Sequence, residues 1–145
     1  MSLFSLLSVS ASGLSAQRTR AELLVQNMAN SETTRTPDGG PYRRKDAIFS
    51  SAPQSSPFSA VFQTEVNSGQ MGVEVSEIVE DSRPPERRYM PGHPDADKDG
   101  YVAFPNMNPA EDMVDLMSAS RGYQANVAAM TAVKDMISRS IDLMK

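Results

Sequence analysis

One short segment, Asp95–Gly100, has the residue types and spacing of a metal site. It reads Asp-Ala-Asp-Lys-Asp-Gly, which matches the first half of an EF-hand calcium loop. The bidentate Glu that such a loop needs at its twelfth position is replaced by Asn106, and two flanking prolines obstruct the helices. We therefore expect a polar turn shaped by Gly100, without specific calcium binding.

The remaining reactive groups do not assemble into a catalytic motif. His93 is the only histidine, and the chain has no cysteine, which excludes thiolate nucleophiles, disulfides and zinc–thiolate sites. Glu111 and Asp112 are adjacent carboxylates at a predicted helix start, where the helix dipole explains them. The chain contains no phosphate-binding loop, dinucleotide fingerprint or nucleophile elbow. The sequence therefore predicts no enzyme, no catalytic residue, no metal and no cofactor.

Charge and composition indicate a subunit rather than a nucleic-acid binder. The densest basic cluster is Arg43–Lys45, which predicts a solvated turn because nucleic-acid binders show a broader basic face. Leu, Ile, Val and Phe total 28 of 145 residues, about 19%, which is near the limit for an independent core. A net charge of −4 does not require disorder. We expect a fold that neighbouring subunits complete.

The two ends of the chain carry heptad repeats that predict long helices. In the C-terminal repeat the a positions are Met113, Ser120, Val127, Lys134 and Ile141, and the d positions are Leu116, Tyr123, Met130, Ile137 and Met144. The weaker N-terminal repeat contains Leu3, Leu7, Ser10, Leu14, Gln17, Ala21, Leu24 and Met28. Each stripe of apolar residues must be covered, and the two helices are natural covers for each other.

Helix boundaries follow from local signals. The N-terminal helix is expected at about 2–29, with Gly13 as a weak point, and it ends before the turn residues that follow Asn30. The C-terminal helix is expected at 109–144, because Asn108 is a good N-cap and Pro109 suits the first helical position. Gly122 is the one interior residue expected to lower the stability of this helix, because glycine has a low helix propensity.

The middle of the chain is rich in Pro, Gly and Ser. Apolar residues alternate over 58–66 and again at Met71, Val73 and Val75, which predicts one β-hairpin around 67–70. A further extended piece is expected at Ile78, and long irregular arms at 30–57 and 81–108. The predicted fold is mainly α: an antiparallel coiled coil of helices 1–30 and 109–145, joined by a middle region 31–108 with a β-hairpin and extended loops.

Membrane insertion and processing signals are weak. No run of 18 apolar residues exists, so no membrane-spanning segment is predicted. Leu3–Val9 is similar to a short signal-peptide core, but no basic residue precedes it and the heptad continues through it. We expect no cleavage there.

Several motifs together resemble the bacterial flagellar basal-body rod proteins, within the superfamily of rod and hook axial proteins. The resemblance begins at Asn27-Met28-Ala29-Asn30 and continues through Gly39–Lys45. It resumes at Gly92–Asp97, Gly100–Val102 and Pro105–Asn108, and it closes with Met113-Val114 and Ser118–Asn126. Together these stretches cover about half of the chain, whereas 47–70 carries little of the pattern.

The resemblance implies a structural subunit of the proximal rod, which polymerises through its terminal helices into the axial shaft that transmits motor torque. It implies copies of the chain, other rod subunits and the flagellar type III export apparatus as partners. It also implies export without a cleaved signal peptide and a periplasmic location in the basal body. The expected assembly interface comprises Leu7, Leu14, Leu24, Asn27, Met28, Asn30, Met113, Leu116, Ser120, Tyr123, Asn126, Val127, Met130, Ile137 and Ile141.

One alternative of a different class stays open at the level of sequence. An autonomous helical-hairpin binding module, secreted or cytoplasmic and with a weak calcium loop at 95–100, would have the same periodicity. Such a module should melt cooperatively as a monomer, whereas a rod subunit should gain order at its termini on assembly.

Overall fold

The computed structural model describes residues 3–53 and 71–143, which form two helices and four strands. In chain order the elements are α1 (Leu3–Ala29), β1 (Lys45–Pro53), β2 (Met71–Glu80), β3 (Glu86–Tyr89), β4 (Tyr101–Phe104) and α2 (Pro109–Asp142). Both helices begin and end within two residues of the positions predicted from the sequence.

The start of α2 is stabilised by the cap that the sequence predicts. The Asn108 side chain accepts a hydrogen bond from the backbone N–H of Ala110 at 3.1 Å, and Pro109 occupies the first turn. Glu111 and Asp112 lie in that turn, where the helix N-terminus favours negative charge. The cap therefore fixes where α2 leaves the strands.

The two helices run antiparallel along each other. Near the middle of α1, Gly13 lies against Asn126, and one turn later Gln17 lies against Gly122. Towards the end of α1, the Arg20 guanidinium contacts the Asp115 carboxylate at 3.3 Å. Residue numbers therefore rise along α1 as they fall along α2.

Strands β1 and β2 form a two-stranded antiparallel sheet, here called sheet A. Its register runs from Lys45 opposite Glu80 to Pro53 opposite Met71. The register shifts by one residue between Ile48 and Phe49, which leaves Ser76 as the extra residue of a β-bulge. The Ser76 hydroxyl donates to the Ile48 carbonyl at 3.1 Å.

The predicted middle hairpin is wrong in its pairing. Its second arm, Met71–Val75, lies within β2, but β2 continues to Glu80 and pairs with β1. The piece expected around Ile78 is therefore part of the same strand. The predicted first arm, 58–66, lies outside the described residues. The alternation of apolar residues correctly identified the strand at Met71–Val75. It could not identify its partner, because β1 lies within 30–57, which was predicted to be irregular.

Strands β3 and β4 form a second antiparallel pair, here called sheet B, with Glu86 opposite Phe104 and Tyr89 opposite Tyr101. This sheet lies in the region that was predicted to be irregular. The connection between its strands turns at Gly100, which has a φ of 81°. A Cβ atom there would lie 2.9 Å from the Tyr89 ring, so the position requires glycine.

The predicted fold class is wrong. Of the residues that the structure describes, about 48% are helical and 22% lie in strands, which form two small antiparallel sheets, so the fold is not a mainly α coiled coil with one middle hairpin. The reason is physical: backbone pairing between segments distant in sequence forms strands in a region whose Pro, Gly and Ser content indicates loops. The buried apolar set is small and consists of Ala16, Leu23, Leu24, Tyr42, Val102, Phe104, Ala119 and Val133.

Candidate assembly interface

Small residues form the seam between α1 and α2. Ala16 and Ala119 are buried, with 3% and 0% of their surface exposed. A Cβ atom at Gly13 would lie 3.1 Å from the Asn126 amide, and one at Gly122 would lie 3.2 Å from the Gln17 side chain. Each glycine therefore admits a polar side chain of the opposite helix. These glycines are close-approach positions, not merely weak points in their helices.

The covered face of α2 lies one residue earlier than the predicted a positions. The buried residues of α2 are Asp112, Ala119 and Val133. Asn126, which completes their seven-residue spacing, is half-buried. The predicted a residues follow each of these by one position, and they are exposed: Met113, Ser120, Val127, Lys134 and Ile141. The predicted d residues Leu116, Met130 and Ile137 are half-buried and border the seam.

The seam leaves apolar residues uncovered on more than one side of α2, among them Val114 and Met117, which are 67% and 52% exposed. Directly beside the seam lie Met113, Tyr123, Val127 and Ile141, with 54%, 42%, 41% and 49% of their surface exposed. We call these four residues the α2 stripe. On α1, Leu24 is buried, whereas Leu7, Leu14 and Met28 are half-buried. The structure therefore covers most of the predicted α1 interface and leaves much of the α2 interface open.

Asn27, at the inner end of α1, anchors the first residue of β1. It is fully buried, and its Nδ2 donates to the Lys45 carbonyl at 2.9 Å. Its Oδ1 accepts from the Lys45 N–H at 2.9 Å and from the Tyr42 hydroxyl at 3.0 Å. One side-chain amide thus satisfies both backbone groups of Lys45, as a neighbouring strand would. Burial raises the pKa of Tyr42, and the charges of Glu80 and Asp112 add to the effect.

Asn30 ends α1 and begins the turn that follows. Its Nδ2 donates to the Gln26 carbonyl at 2.9 Å, and its Oδ1 accepts from the Thr33 hydroxyl at 3.2 Å. The Tyr42 N–H then donates to the Thr33 carbonyl at 3.0 Å. Asn27 and Asn30 were expected at an assembly interface, and the structure gives both of them internal hydrogen-bond partners.

Arg44 links the strand to the start of α2. Its Nε and Nη2 both donate to Asp112 Oδ1, at 3.0 and 2.8 Å, and its Nη1 donates to Asp46 at 2.7 Å. The Asp112 side chain is 1% exposed and that of Arg44 is 20% exposed. Burial alone would lower the pKa of Arg44, but the Asp112 hydrogen bonds and three neighbouring carboxylates raise it above its ordinary value.

This ion pair corrects two sequence-based expectations. The Arg43–Lys45 cluster is not a solvated turn: Arg44 and Lys45 are half-buried, and the Lys45 ammonium lies 3.6 Å from Glu80. Asp112 also does more than respond to the helix dipole, because it neutralises a buried guanidinium. Asp112 Oδ2 has no hydrogen-bond partner among the described residues. Neither role could be read from sequence, because the partners lie 68 positions apart.

The Asp95–Gly100 segment is a turn held by its own carboxylates. Asp97 Oδ1 accepts from the N–H groups of Asp99 and Tyr101 at 3.0 and 2.9 Å, and Oδ2 pairs with Arg87 at 2.7 Å. The backbone hydrogen bonds, led by that from Tyr101, hold the pKa of Asp97 below its ordinary value.

In the part of the chain that the structure describes, no feature supports metal binding or membrane insertion. Within residues 3–53 and 71–143, no three His, Cys, Asp or Glu side chains come together as a metal site requires. His93 Nδ1 instead accepts from the Asp95 N–H at 3.1 Å. In the same ranges, neither helix is apolar enough over a sufficient length to cross a membrane.

Comparison with known proteins matches the chain along its whole length. The family model described as "Flagellar basal body rod FlgEFG protein C-terminal" matches residues 98–143, which include β4 and α2. The flagellar basal-body rod protein FlgC of Borreliella burgdorferi is 40% identical, covering 100% of this chain and 99% of that protein. The FlgC proteins of Bacillus subtilis and Salmonella typhimurium are 41% and 37% identical and are covered over 100% and 98% of their lengths.

These identities extend over α1, both sheets and α2, so they concern the whole arrangement and not the helices alone. The resemblance read from Asn27–Asn30, Gly39–Lys45 and Ser118–Asn126 is thereby confirmed. The chain belongs to the FlgC family of flagellar basal-body rod proteins.

Proposed function

We propose that this chain is a non-enzymatic building block of the proximal flagellar rod, which polymerises through its terminal helices and transmits motor torque. One observation carries the proposal: the α2 stripe lies directly beside a seam that is already closed by α1. An apolar surface in that position is available for the helix of a neighbouring subunit. Similarity to the FlgC basal-body rod proteins of Borreliella burgdorferi and Bacillus subtilis supports the same conclusion.

The geometry of the stripe suits an open polymer. The face of α2 that meets α1 is distinct from the face that bears Met113, Tyr123 and Val127, so a contact on the stripe need not be self-complementary. Heterologous contacts of this kind generate helical assemblies. We propose that the residues 1–30 and 109–145 form the inner layer of the rod and that 31–108 lies outside it.

The proposed partners are copies of the chain, other rod subunits and the flagellar type III export apparatus. We place the assembled protein in the periplasmic part of the basal body, exported without a cleaved signal peptide. Similarity to FlgC basal-body rod proteins supports these assignments.

The test is a truncation within the α2 stripe. Tyr123→Ala removes a ring that is 42% exposed in the subunit, so the isolated chain should lose less than about 1 kcal/mol of its free energy of unfolding. If the ring is buried between subunits, the loss recurs at every copy of the polymer. We expect secreted protein, basal bodies that lack it, and no swimming.

A substitution elsewhere on α2 controls for the effect of changing this helix at all. Ser118→Ala lies on the exposed side of α2 away from the stripe and should swim normally. Normal swimming by the Tyr123→Ala strain would remove the α2 stripe from the assembly interface. Retention of the variant in the cytoplasm would instead assign this helix a role in export.

A further inference from the structure

Within the described residues 3–53 and 71–143, each sheet has two strands, so each strand has one outer edge. The outer edge of β2 is met by α1, since the Val73 N–H donates to the Ser12 hydroxyl at 3.0 Å. Among the described residues, the outer edge of β1 is bonded at its first residue alone, where Asn27 bonds both backbone groups of Lys45. An exposed strand edge is a ready template for pairing with another chain.

Strand alternation determines which backbone N–H and C=O groups of β1 point to its outer edge. In an antiparallel ladder every second residue directs its N–H and C=O to the same side. Because Lys45 points outward to Asn27, the backbone groups of Ala47, Phe49 and Ser51 point outward as well. Pro53 occupies the next outward position, where the lack of an N–H is tolerated. None of these outward groups has a hydrogen-bond partner among the described residues.

The outer edge of β3 is open in the same way. The Met90 N–H donates to the Gly100 carbonyl at 2.9 Å, so alternation directs Glu86 and Arg88 towards β4. The backbone groups of Arg87 and Tyr89 therefore point away from sheet B. They have no backbone partner within the part of the chain that the structure describes, and the whole of β3 is exposed.

The side-chain faces of the two edges match. Outward residues share a face with their neighbours across the ladder. On sheet A this face carries Phe49, Val73 and Ile78, which are 37%, 39% and 48% exposed. On sheet B the corresponding face carries Tyr89 and Tyr101, which are 66% and 42% exposed, with ring centroids 5.4 Å apart. Edge pairing would place these two faces side by side, with the Arg87 guanidinium 5.9 Å from the Tyr101 ring on the sheet B side.

We propose that the β1 edge of one copy pairs with the β3 edge of a second copy of this chain, forming a four-stranded sheet across the subunit boundary. The contact joins two different surfaces, so it is heterologous and does not close into a dimer. It rests on the proposed function, because it requires copies of the chain to be neighbours in the rod. It adds a second type of contact, remote from the α2 stripe.

Cysteine cross-linking tests the pairing cleanly because the natural chain has no cysteine. Two singly substituted chains, Ser51→Cys and Arg87→Cys, carry tags of different mass and are produced together in cells without the natural chain. After oxidation of isolated basal bodies, we expect a mixed disulfide dimer at least tenfold above that of Ser51→Cys with Lys98→Cys. Lys98 is exposed in the turn of sheet B, off the β3 edge.

Two separate proline substitutions test the same edge without cysteine. Ser51→Pro removes one outward N–H and leaves the ladder to β2 intact, whereas Ser50→Pro breaks a ladder hydrogen bond. We expect Ser51→Pro to keep the protease-resistance pattern of the natural chain but to enter basal bodies at least tenfold less well. Ser50→Pro should lose that pattern and so report misfolding.

Several outcomes would overturn the pairing. These are normal incorporation of Ser51→Pro, disulfides between two Ser51→Cys chains only, or a cross-link to a protein of different mass. Basal bodies that contain the chain but give no mixed disulfide would contradict the edge pairing and leave the proposed function standing. Absence of the natural chain from basal bodies would sink the proposed function itself.

Discussion

The two ends of the helix pair are stabilised in different ways. At the inner end, where α1 stops and α2 starts, Leu23, Leu24, Asn27 and Asp112 are all buried. In the outer half of α2, Val133 is the one residue that is buried among those described, while Ile141 and Leu143 are 49% and 88% exposed. The inner end is closed within the chain, and the outer end is not.

This difference separates folding from assembly. The inner end depends on polar contacts that only this chain supplies, namely the amide of Asn27 and the guanidinium of Arg44. The outer end keeps apolar surface that burial by a neighbour would stabilise at about 25 cal/mol per Å². Substitutions at the inner end should therefore destabilise the isolated subunit, whereas those at the outer end and on the α2 stripe should weaken the polymer.

The largest effect is expected from breaking the buried ion pair. Arg44→Met leaves the Asp112 carboxylate buried without its partner, and removing one member of such a pair costs about 3–5 kcal/mol. Urea unfolding of the purified subunit measures the loss. The double variant Arg44→Met, Asp112→Leu should recover most of it, because no buried charge is left uncompensated and Asp46 is 47% exposed.

The neighbouring Arg43 supplies the matched control for that prediction. Its side chain is exposed, and its nearest polar contact is a long hydrogen bond of 3.5 Å to the Asp81 carbonyl. Arg43→Met should change the free energy of unfolding by no more than about 0.5 kcal/mol. Equal losses at Arg43 and Arg44 would show that the cluster acts only through its net charge.

The next largest effect is expected at Asn27. Asn27→Leu keeps the approximate size of the side chain but leaves the N–H and C=O of Lys45 buried without partners, which costs about 1–3 kcal/mol for each group. Partial hydration of the strand start should limit the total to roughly 2–4 kcal/mol. Hydrogen exchange at the Lys45 amide reports the loss locally.

Asn30→Leu serves as the comparison for Asn27. Asn30 bonds only the helix end and the next turn, so its loss should cost about 1 kcal/mol. If Asn30→Leu proved as harmful as Asn27→Leu, the strand-like bonding of Lys45 would not be the important contact.

The sequence predicted the helices well because their signals are local. Asn108, Pro109 and the polar segment after Asn30 each act within one turn, and the helices begin and end where these signals indicate. The frame of the seam was misplaced by one residue for a physical reason. Heptad assignment favours large apolar side chains, but this seam is built from Ala119, Gly122 and their small counterparts.

The strands and anchors were harder to predict because their partners are distant. Lys45–Pro53 contains Ser, Ala and Pro and shows no clear alternation, yet it forms a strand because it pairs with β2 along its length and Asn27 bonds Lys45 on the other side. The resemblance pointed to Asn27 and to Gly39–Lys45 as separate motifs. Only the structure joins them, through Tyr42 and Lys45.

A smaller effect is expected from filling the seam. Gly122→Leu places a side chain against Gln17, where a Cβ atom alone would lie 3.2 Å away, and overpacking typically costs about 1–3 kcal/mol. Ser118→Leu on the exposed side of α2 controls for the change in helix propensity. Thermal unfolding of both variants measures the difference. A Gly122→Leu chain as stable as Ser118→Leu would mean that the helices do not approach closely there.

The smallest effect is expected from acid at sheet B, far from the inner end. Hydrogen bonds from Tyr101 and Asp99 and the charge of Arg87 lower the pKa of Asp97, so its contribution to stability is present above the ordinary value of 3.8. That contribution is lost as the pH falls through the lower, folded-state pKa. In an NMR titration, the Tyr101 amide should therefore shift with a midpoint below 3.8, and Asp97→Asn should abolish the shift. A midpoint at or above 3.8 would mean that these hydrogen bonds do not favour the charged carboxylate, and sheet B would need a neighbouring copy to hold its turn.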